Sequence, residues 1–306
     1  MNKRLEGTVP DRLRDERADK VVAELAGISR EAARRLFDQG VKVDGRAVEA
    51  RTRLEGGTID FPEPATAGGT VPEFVDFVVR YEDEHLLVVD KPAGVVVHPG
   101  AGHERGTLAA GLVHRYPELE GVGQPGRWGI VHRLDRGTSG LLVVARTQDC
   151  YRRLTRQLAE HGIRRSYLAL VHGIPEMPTG TIDAPIGRDP AHPTRKRVLP
   201  EGRPARTHYR VAGSYGAASL LEVELETGRT HQIRVHLAAI GHPVVGDRTY
   251  SRRVDPVRLG RMFLHAAALR FTHPMTGAAI DVRSPLPPDL AAPLADLSEQ
   301  AGTVGR

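Results

Sequence analysis

Cysteine occurs once in the chain, at Cys150. A single thiol cannot close an intrachain disulfide or supply a cysteine-based zinc site. No apolar run approaches the ~20 residues of a membrane-spanning helix. The opening residues Met1-Asn2-Lys3-Arg4-Leu5-Glu6 lack the apolar stretch of a secretory leader. Together these absences predict a cytoplasmic protein in a reducing compartment, with no membrane partner. What is present agrees. At 306 residues the chain has room for two domains of ordinary size. Apolar residues at 40% and charged residues at 26% give a soluble globular balance. The formal net charge is +5, with arginine well ahead of lysine. That balance permits nucleic-acid binding without requiring it, because arginine-rich composition also accompanies GC-rich genomes.

The chain divides at Phe61 to Pro72, where three prolines and two glycines in twelve residues rule out a helix and read as a linker. The predicted bounds are 12–62 for a first domain, 63–74 for the linker and 75–295 for a second domain. In the first, Val21, Val22, Leu25 and Ala26 fall at helical spacing within about 13–27. Ser29 is placed to cap a second helix, Arg30 to Asp38, which Gly40 closes. Short strands follow, with the hairpin signal Asp44-Gly45 between two of them. Arg30, Arg34 and Arg35 fall near one helix face, and Lys42 and Arg46 follow on the hairpin. Such a face either grips RNA phosphates or is simply solvated, and charge alone leaves both open. The order resembles the S4 RNA-binding domain through Arg17 to Leu25, Ile28-Ser29-Arg30 and Gly40 to Arg46. Arg30, Arg34, Arg35 and Lys42 are the candidate RNA contacts there.

After the linker the clearest strands are Leu86 to Asp90, Leu141 to Ala145, Tyr167 to Val171 and Leu220 to Leu225. Helices are expected at Thr107 to Tyr116 and Asp149 to His161, the latter with Tyr151, Leu154 and Leu158 on one face and Gly162 as its stop. Strand runs with few helices predict an α+β domain around a mixed, largely antiparallel central sheet. Asp189 to Arg203, with three prolines, reads as a mobile loop, and the tail after Pro285 as peripheral.

Several familiar signatures fail. Gly121-Val122-Gly123-Gln124-Pro125-Gly126 spells a dinucleotide fingerprint, but no strand precedes it and no helix pattern follows. Gly137-Thr138-Ser139-Gly140-Leu141 lacks the last glycine of a nucleophile elbow. His98 and His103 sit in a glycine- and proline-rich turn, and His231 and His236 are five apart, so neither pair has helical metal-ligand spacing. No metal site is expected. Cys150 opens a helix with no local signature and reads as a packing residue.

The segment that remains is Val131-His132-Arg133-Leu134-Asp135-Arg136-Gly137-Thr138-Ser139-Gly140-Leu141. It sets one carboxylate, Asp135, between the guanidinium groups of Arg133 and Arg136, on a turn before a buried strand. Opposite charges within a few ångströms favour the ionised form. An ionised aspartate on a rigid edge is a nucleophile or base, or else an ordinary salt-bridged loop residue worth ~0–1 kcal/mol. Two further polar segments accompany it: Arg164 to Gly173, in which Tyr167 enters a strand after two arginines, and Glu226 to Leu237, extended to Asp247, which carries Arg234. Singly, Tyr167 reads as a core tyrosine and Arg234 as a structural ion pair.

Taken in order with Tyr81 to Gly100, these segments closely resemble the pseudouridine synthases that modify large ribosomal RNA and tRNA, and most of all the branch with an S4 domain in front. Arg136 and Arg165 stand where lysine is common in that family, and Gly137 where a larger residue is usual. The resemblance implies the pseudouridine synthase fold over about 75–285, an RNA substrate and no cofactor. It implies that Asp135 is the essential carboxylate, that Arg234 pairs with it, and that Tyr167 stacks on the target base. Arg133 then fills the space of an extruded nucleotide, and Arg136 is a charge-setting or RNA-contacting neighbour. A base inside folded RNA must be flipped to be reached, at a few kcal/mol, and an arginine plane and a tyrosine face suit that task. The expected substrate is large-subunit rRNA, acted on by a monomer. The alternatives are a tRNA-modifying enzyme of the same family and a non-catalytic RNA-binding assembly factor. A glycosidase would need two carboxylates flanking one bond, and Asp247, the other placeable carboxylate, reads as part of a structural Gly-Asp turn.

Overall fold

The computed structural model describes residues 3–26, 28, 30–63, 71–100, 105–124, 126–192 and 194–304. The expected cap Ser29, most of the expected linker and His103 lie outside them. The chain forms two compact units, residues 1–71 with 124–126, and residues 72–123 with 127–306.

The first unit contains β1 (Arg4–Thr8), β2 (Glu16–Arg17), α1 (Ala18–Leu25), α2 (Arg30–Phe37), β3 (Lys42–Val43), β4 (Arg46–Ala47), β5 (Arg53–Leu54) and β6 (Thr58–Pro62). Its main sheet runs β1-β6-β3-β4, and β2 pairs with β5. Helix α1 starts later than its apolar spacing predicts. Asp11–Leu13 is a single 3-10 turn, Asp15 takes a left-handed φ of 59°, and Glu16–Arg17 is drawn into a strand pair. Val21, Val22, Ala33, Leu36, Ile59 and Phe61 form the core.

The second unit contains β7 (Val78–Glu82), β8 (Leu86–Lys91), α3 (Leu108–Arg115), β9 (Ser139–Ala145), α4 (Gln148–Ala159), β10 (Arg164–His172), β11 (Thr179–Asp183), β12 (Ile186–Arg188), β13 (Lys196–Val198), β14 (Arg206–Tyr215), β15 (Ala218–Leu225), α5 (Gln232–Ala239), β16 (Leu264–Thr272), β17 (Ala279–Arg283) and α6 (Pro288–Val304). The order β11-β14-β15-β10-β16-β9-β8-β7, with β17 beside β16, makes a nine-stranded sheet. Every pairing is antiparallel except β9 with β16. The predicted α+β class with a largely antiparallel sheet is what the structure has.

Strands β8 and β9 read as unbroken apolar runs because both faces are covered. Leu87, Val89, Leu142 and Val144 pack with Leu108 and Leu112 of α3 and Ile233 and Leu237 of α5. Leu86, Val88, Leu141 and Val143 pack with Cys150 and Leu154 of α4. Helices α3 and α4 each begin on a threonine cap, Thr107 accepting from Ala110 N and Thr147 from Cys150 N. Cys150 is fully buried and its thiol is pushed up to about 12 by that burial.

Two expectations are corrected. Asp189 to Arg203 is not simply a loop: β12 and β13 pair across it as an antiparallel hairpin. The stretch after Pro285 is not peripheral either. Helix α6 lays Leu290 and Leu297 against Leu170, Val245 and Phe263, burying apolar surface that its alanine- and proline-rich composition conceals.

The parallel pairing of β9 with β16 depends on one glycine. Gly140 sits at φ +113°, and a Cβ there would lie 2.3 Å from the carbonyl oxygen of Ala266. Gly140→Ala should therefore cost more than about 2 kcal/mol, read as a lowered urea midpoint at unchanged slope. A midpoint within error of wild type would contradict this packing.

Candidate functional site

The segment 131–138 delivers Asp135 just before β9, and its backbone is held from several sides. Thr138 N donates to Asp135 O at 3.0 Å, and Gly94 N donates to Arg136 O at 2.8 Å. Fully buried Lys91 donates to the carbonyls of Pro92 at 2.8 Å, Val95 at 2.9 Å and Arg136 at 3.4 Å. Burial pushes this ammonium down to about 7, with Asp135 pulling the other way. Arg261 donates to the Gly137 carbonyl and to Ser139 Oγ. Ser139, expected in the turn, is the first residue of β9 and is buried, with its hydroxyl 2.9 Å from His265 Nδ1. Beside Asp135, His132 Nε2 accepts from Val143 N, and burial lowers its pKa to about 3, so it is neutral.

A guanidinium from far along the chain reaches Asp135. Arg234, on α5, donates from Nη1 to Asp135 Oδ2 at 3.1 Å. Arg136 instead turns Nε to the Gly94 carbonyl at 3.1 Å. Arg234 is itself clamped. Its Nε and Nη2 reach the two carboxylate oxygens of Asp247 at 2.6 and 2.9 Å, a bidentate fork. Asp247 is buried and also accepts from Thr249 N and Tyr250 N. Burial opposes its ionisation, yet the bonds from Arg234 outweigh that and hold its carboxyl below the usual range. The same balance runs through Arg234: burial disfavours its charge, and Asp247 and Asp135 together raise its pKa.

Asp135, Arg133, Tyr167 and Arg234 all line one cleft of about 560 Å³, together with apolar Ile130, Leu134 and Leu264. Such a volume falls within the ~300–1,000 Å³ of ordinary ligand sites. Tyr167 is 5% exposed, and burial raises the pKa of its hydroxyl. Arg165 is buried too, and donates to the carbonyls of Leu225 and Glu226 at 3.2 and 3.1 Å. It serves the cleft wall rather than the surface. Among the described residues, no group of three or more His, Cys, Asp or Glu could hold a metal ion, and no helix is long and apolar enough to cross a membrane.

In the first unit Asp19 is fully buried and takes bonds from Arg17 at 2.9 Å, Arg30 at 2.7 Å and Arg34 at 2.7 Å. Burial disfavours its charge, but the three arginines bring its pKa down to about 2. Arg30 and Arg34 thus have an internal partner that their helical spacing did not announce. Arg35 and Lys42 are exposed.

The family model for RNA pseudouridylate synthase matches residues 85–239. A protein of Chloroflexus aurantiacus named as an RNA pseudouridine synthase is 48% identical over 96% of this chain and 93% of its own length. The ribosomal large subunit pseudouridine synthase D of Nitrosomonas europaea is 45% identical over 94% of this chain and 86% of its own. The chain belongs to the RNA pseudouridylate synthase family. Among solved structures, human RNA pseudouridylate synthase domain containing 1 superposes with a TM-score of 0.57 at 29% identity, over 74% of this chain and 95% of that one. A pseudouridine synthase is an isomerase that converts uridine in RNA to pseudouridine, and the cleft just described lies within the matched region and its continuation.

The structure brings Asp135, Arg133, Tyr167 and Arg234 to one cleft; sequence reasoning read Asp247 as a structural turn, which it is, and missed its bond to Arg234. The available signal was the buried helix around Arg234, since a buried guanidinium needs a second carboxylate once one partner faces the cleft. Asp247→Ala should destabilise the synthase by about 3 kcal/mol, because it strands a buried charge, and should lower modification at least about a hundredfold by releasing Arg234. Denaturant melts and single-turnover modification measure the two effects. The pair's contribution to stability is complete above pH ~4, near the unfolded carboxyl value, and is lost as pH falls through the depressed folded value. A pH–stability curve in which wild type and variant converge only in acid would agree.

Proposed function

We propose that this synthase isomerises specific uridines of large-subunit ribosomal RNA, with Asp135 as the reacting carboxylate. The observation that carries the reading is Asp135 and Tyr167 facing one cleft, with Arg234 bonded to the carboxylate. The relatives named as ribosomal large subunit pseudouridine synthase D support the substrate class. The reaction breaks the N1–C1′ bond, turns the base and forms a C5–C1′ bond; the proton leaves C5 and N1 regains one, so no redox partner is required. Asp135 acts as an anion whether it attacks C1′ or takes the 2′ proton. Arg234 orients it, Tyr167 packs on the detached base, and Arg133 occupies the place of the flipped nucleotide. Holding the free base near C1′ is mainly a matter of positioning.

The first unit is read as an S4-like RNA-binding domain, with α2 and the β3–β4 hairpin toward phosphates. Arg35 and Lys42 are its exposed contacts; Arg30 and Arg34 shape the face from their seat on Asp19. A cytoplasmic monomer without cofactor completes the reading.

Asp135→Asn should reduce pseudouridine formation at least about 10⁴-fold with RNA affinity within about threefold of wild type. Carbodiimide-dependent reverse-transcription stops on rRNA, with and without the enzyme, map the sites and score the variant; product at the wild-type level would sink the mechanism. Replacing Arg35 and Lys42 together by alanine should weaken RNA binding and lower the slope of log affinity on log salt by about 1–2. An unchanged slope would remove this unit from the phosphate contacts.

A further inference from the structure

His231 lines the cleft with Asp135, at the first turn of α5, in a left-handed conformation with φ 60°. A non-glycine residue held there costs on the order of 1 kcal/mol and persists only where its surroundings fix it. The His231 carbonyl accepts from Val235 N at 2.9 Å, and its ring is met by one hydroxyl. Tyr250 OH lies 2.8 Å from His231 Nδ1 and accepts from Lys196 N, on β13, at 2.9 Å. The Tyr250 ring stands edge-on to the imidazole, with centroids 5.7 Å apart, and its face lies 5.0 Å from the Arg234 guanidinium carbon.

Donor inventory fixes one end of this chain. A backbone amide only donates, so the tyrosine oxygen accepts from Lys196. Among the described residues the other partner of the hydroxyl is His231 Nδ1, which can receive the tyrosine proton or donate its own to the phenol oxygen. When the tyrosine donates, Nδ1 accepts and the proton of the neutral ring sits on Nε2. We propose that His231 is a positioning residue which presents a neutral Nε2–H donor to an oxygen of the nucleotide held at Asp135, its tautomer set by the Lys196–Tyr250 relay. The proposal rests on the reading that Asp135 is the reacting carboxylate.

The charged and titratable groups that act on the ring are Asp135 and Arg133 from the 131–138 segment, Arg234 on α5, and Asp247 and Tyr250 after it. Burial lowers the His231 pKa, Asp135 and Asp247 oppose that, and Arg234 and Arg133 add to it. The ring therefore stays neutral to lower pH than an ordinary histidine. Protonation would put hydrogen on Nδ1 and reverse the bond to Tyr250.

The test has two arms. In the first, two-bond ¹H–¹⁵N spectra of histidine-labelled full-length protein are taken without RNA, with His231 assigned by its loss in His231→Gln. The expected signal is a neutral Nε2–H tautomer, titrating below the ordinary value of ~6.5. In Tyr250→Phe the two tautomers mix and the titration moves up. A wild-type Nδ1–H tautomer, or a Tyr250→Phe spectrum identical to wild type, overturns the relay. In the second arm, modification of in vitro transcribed large-subunit rRNA is compared in variants that share the backbone strain. His231→Ala should lose about tenfold in kcat/KM, while His231→Gln, whose amide nitrogen can stand near Nε2, should stay within about threefold. Equal loss in both variants, with unchanged melting temperature, overturns the donor role. Wild-type inactivity on that RNA would instead count against the substrate reading and leave the tautomer result to decide the relay.

Discussion

The site is organised around a single guanidinium. Arg234 has two of its nitrogens committed to Asp247 and a third turned to Asp135, so one buried cation joins two carboxylates from distant parts of the chain. Asp247 could not sit where it does without that charge, because a buried unpaired anion costs several kcal/mol. The asymmetry is informative. Asp247 is sealed and saturated by backbone amides as well, whereas Asp135 keeps an open side toward the cleft. A rigid fork anchored at one end gives the other end direction without consuming its reactive face.

The surrounding fold can be understood as support for that arrangement. Helix α5 lies on the sheet through Ile233 and Leu237, so the arginine between them enters from a well-packed element. The 131–138 segment has no regular structure, yet Lys91, Gly94 and Arg261 hold its carbonyls from two directions. Loop geometry here is as constrained as strand geometry because its polar backbone groups have specific buried partners.

Much of this was legible in the amino-acid sequence because it is written in local patterns. The unbroken apolar runs of β8 and β9, the helix of Tyr151, Leu154 and Leu158, and the order of the motifs all carry over directly. What stayed hidden were pairings across long separations and identities that local context disguises. Arg133 and Arg136 flank Asp135 in the chain, so proximity in sequence suggested them as its counter-ions, while the bond comes from a residue ninety-nine positions on. Asp247 looked like half of a turn because it is also that, accepting Thr249 N and Tyr250 N. Arg30 and Arg34 looked like a free basic stripe because Asp19 lies a helix away. Helix α6 was overlooked although Leu290, Leu294 and Leu297 fall at helical spacing, because Pro293 stands inside the run.

Cys150 has a practical consequence. It is the chain's sole thiol, lies fully inside the layer between α4 and the sheet, and its deprotonation is suppressed. Since alkylating reagents attack the thiolate, the native protein is silent to them and each labelling event records an opening of this layer. The molecule therefore contains a built-in reporter of its own breathing, situated directly behind the strand that carries Asp135 at its approach.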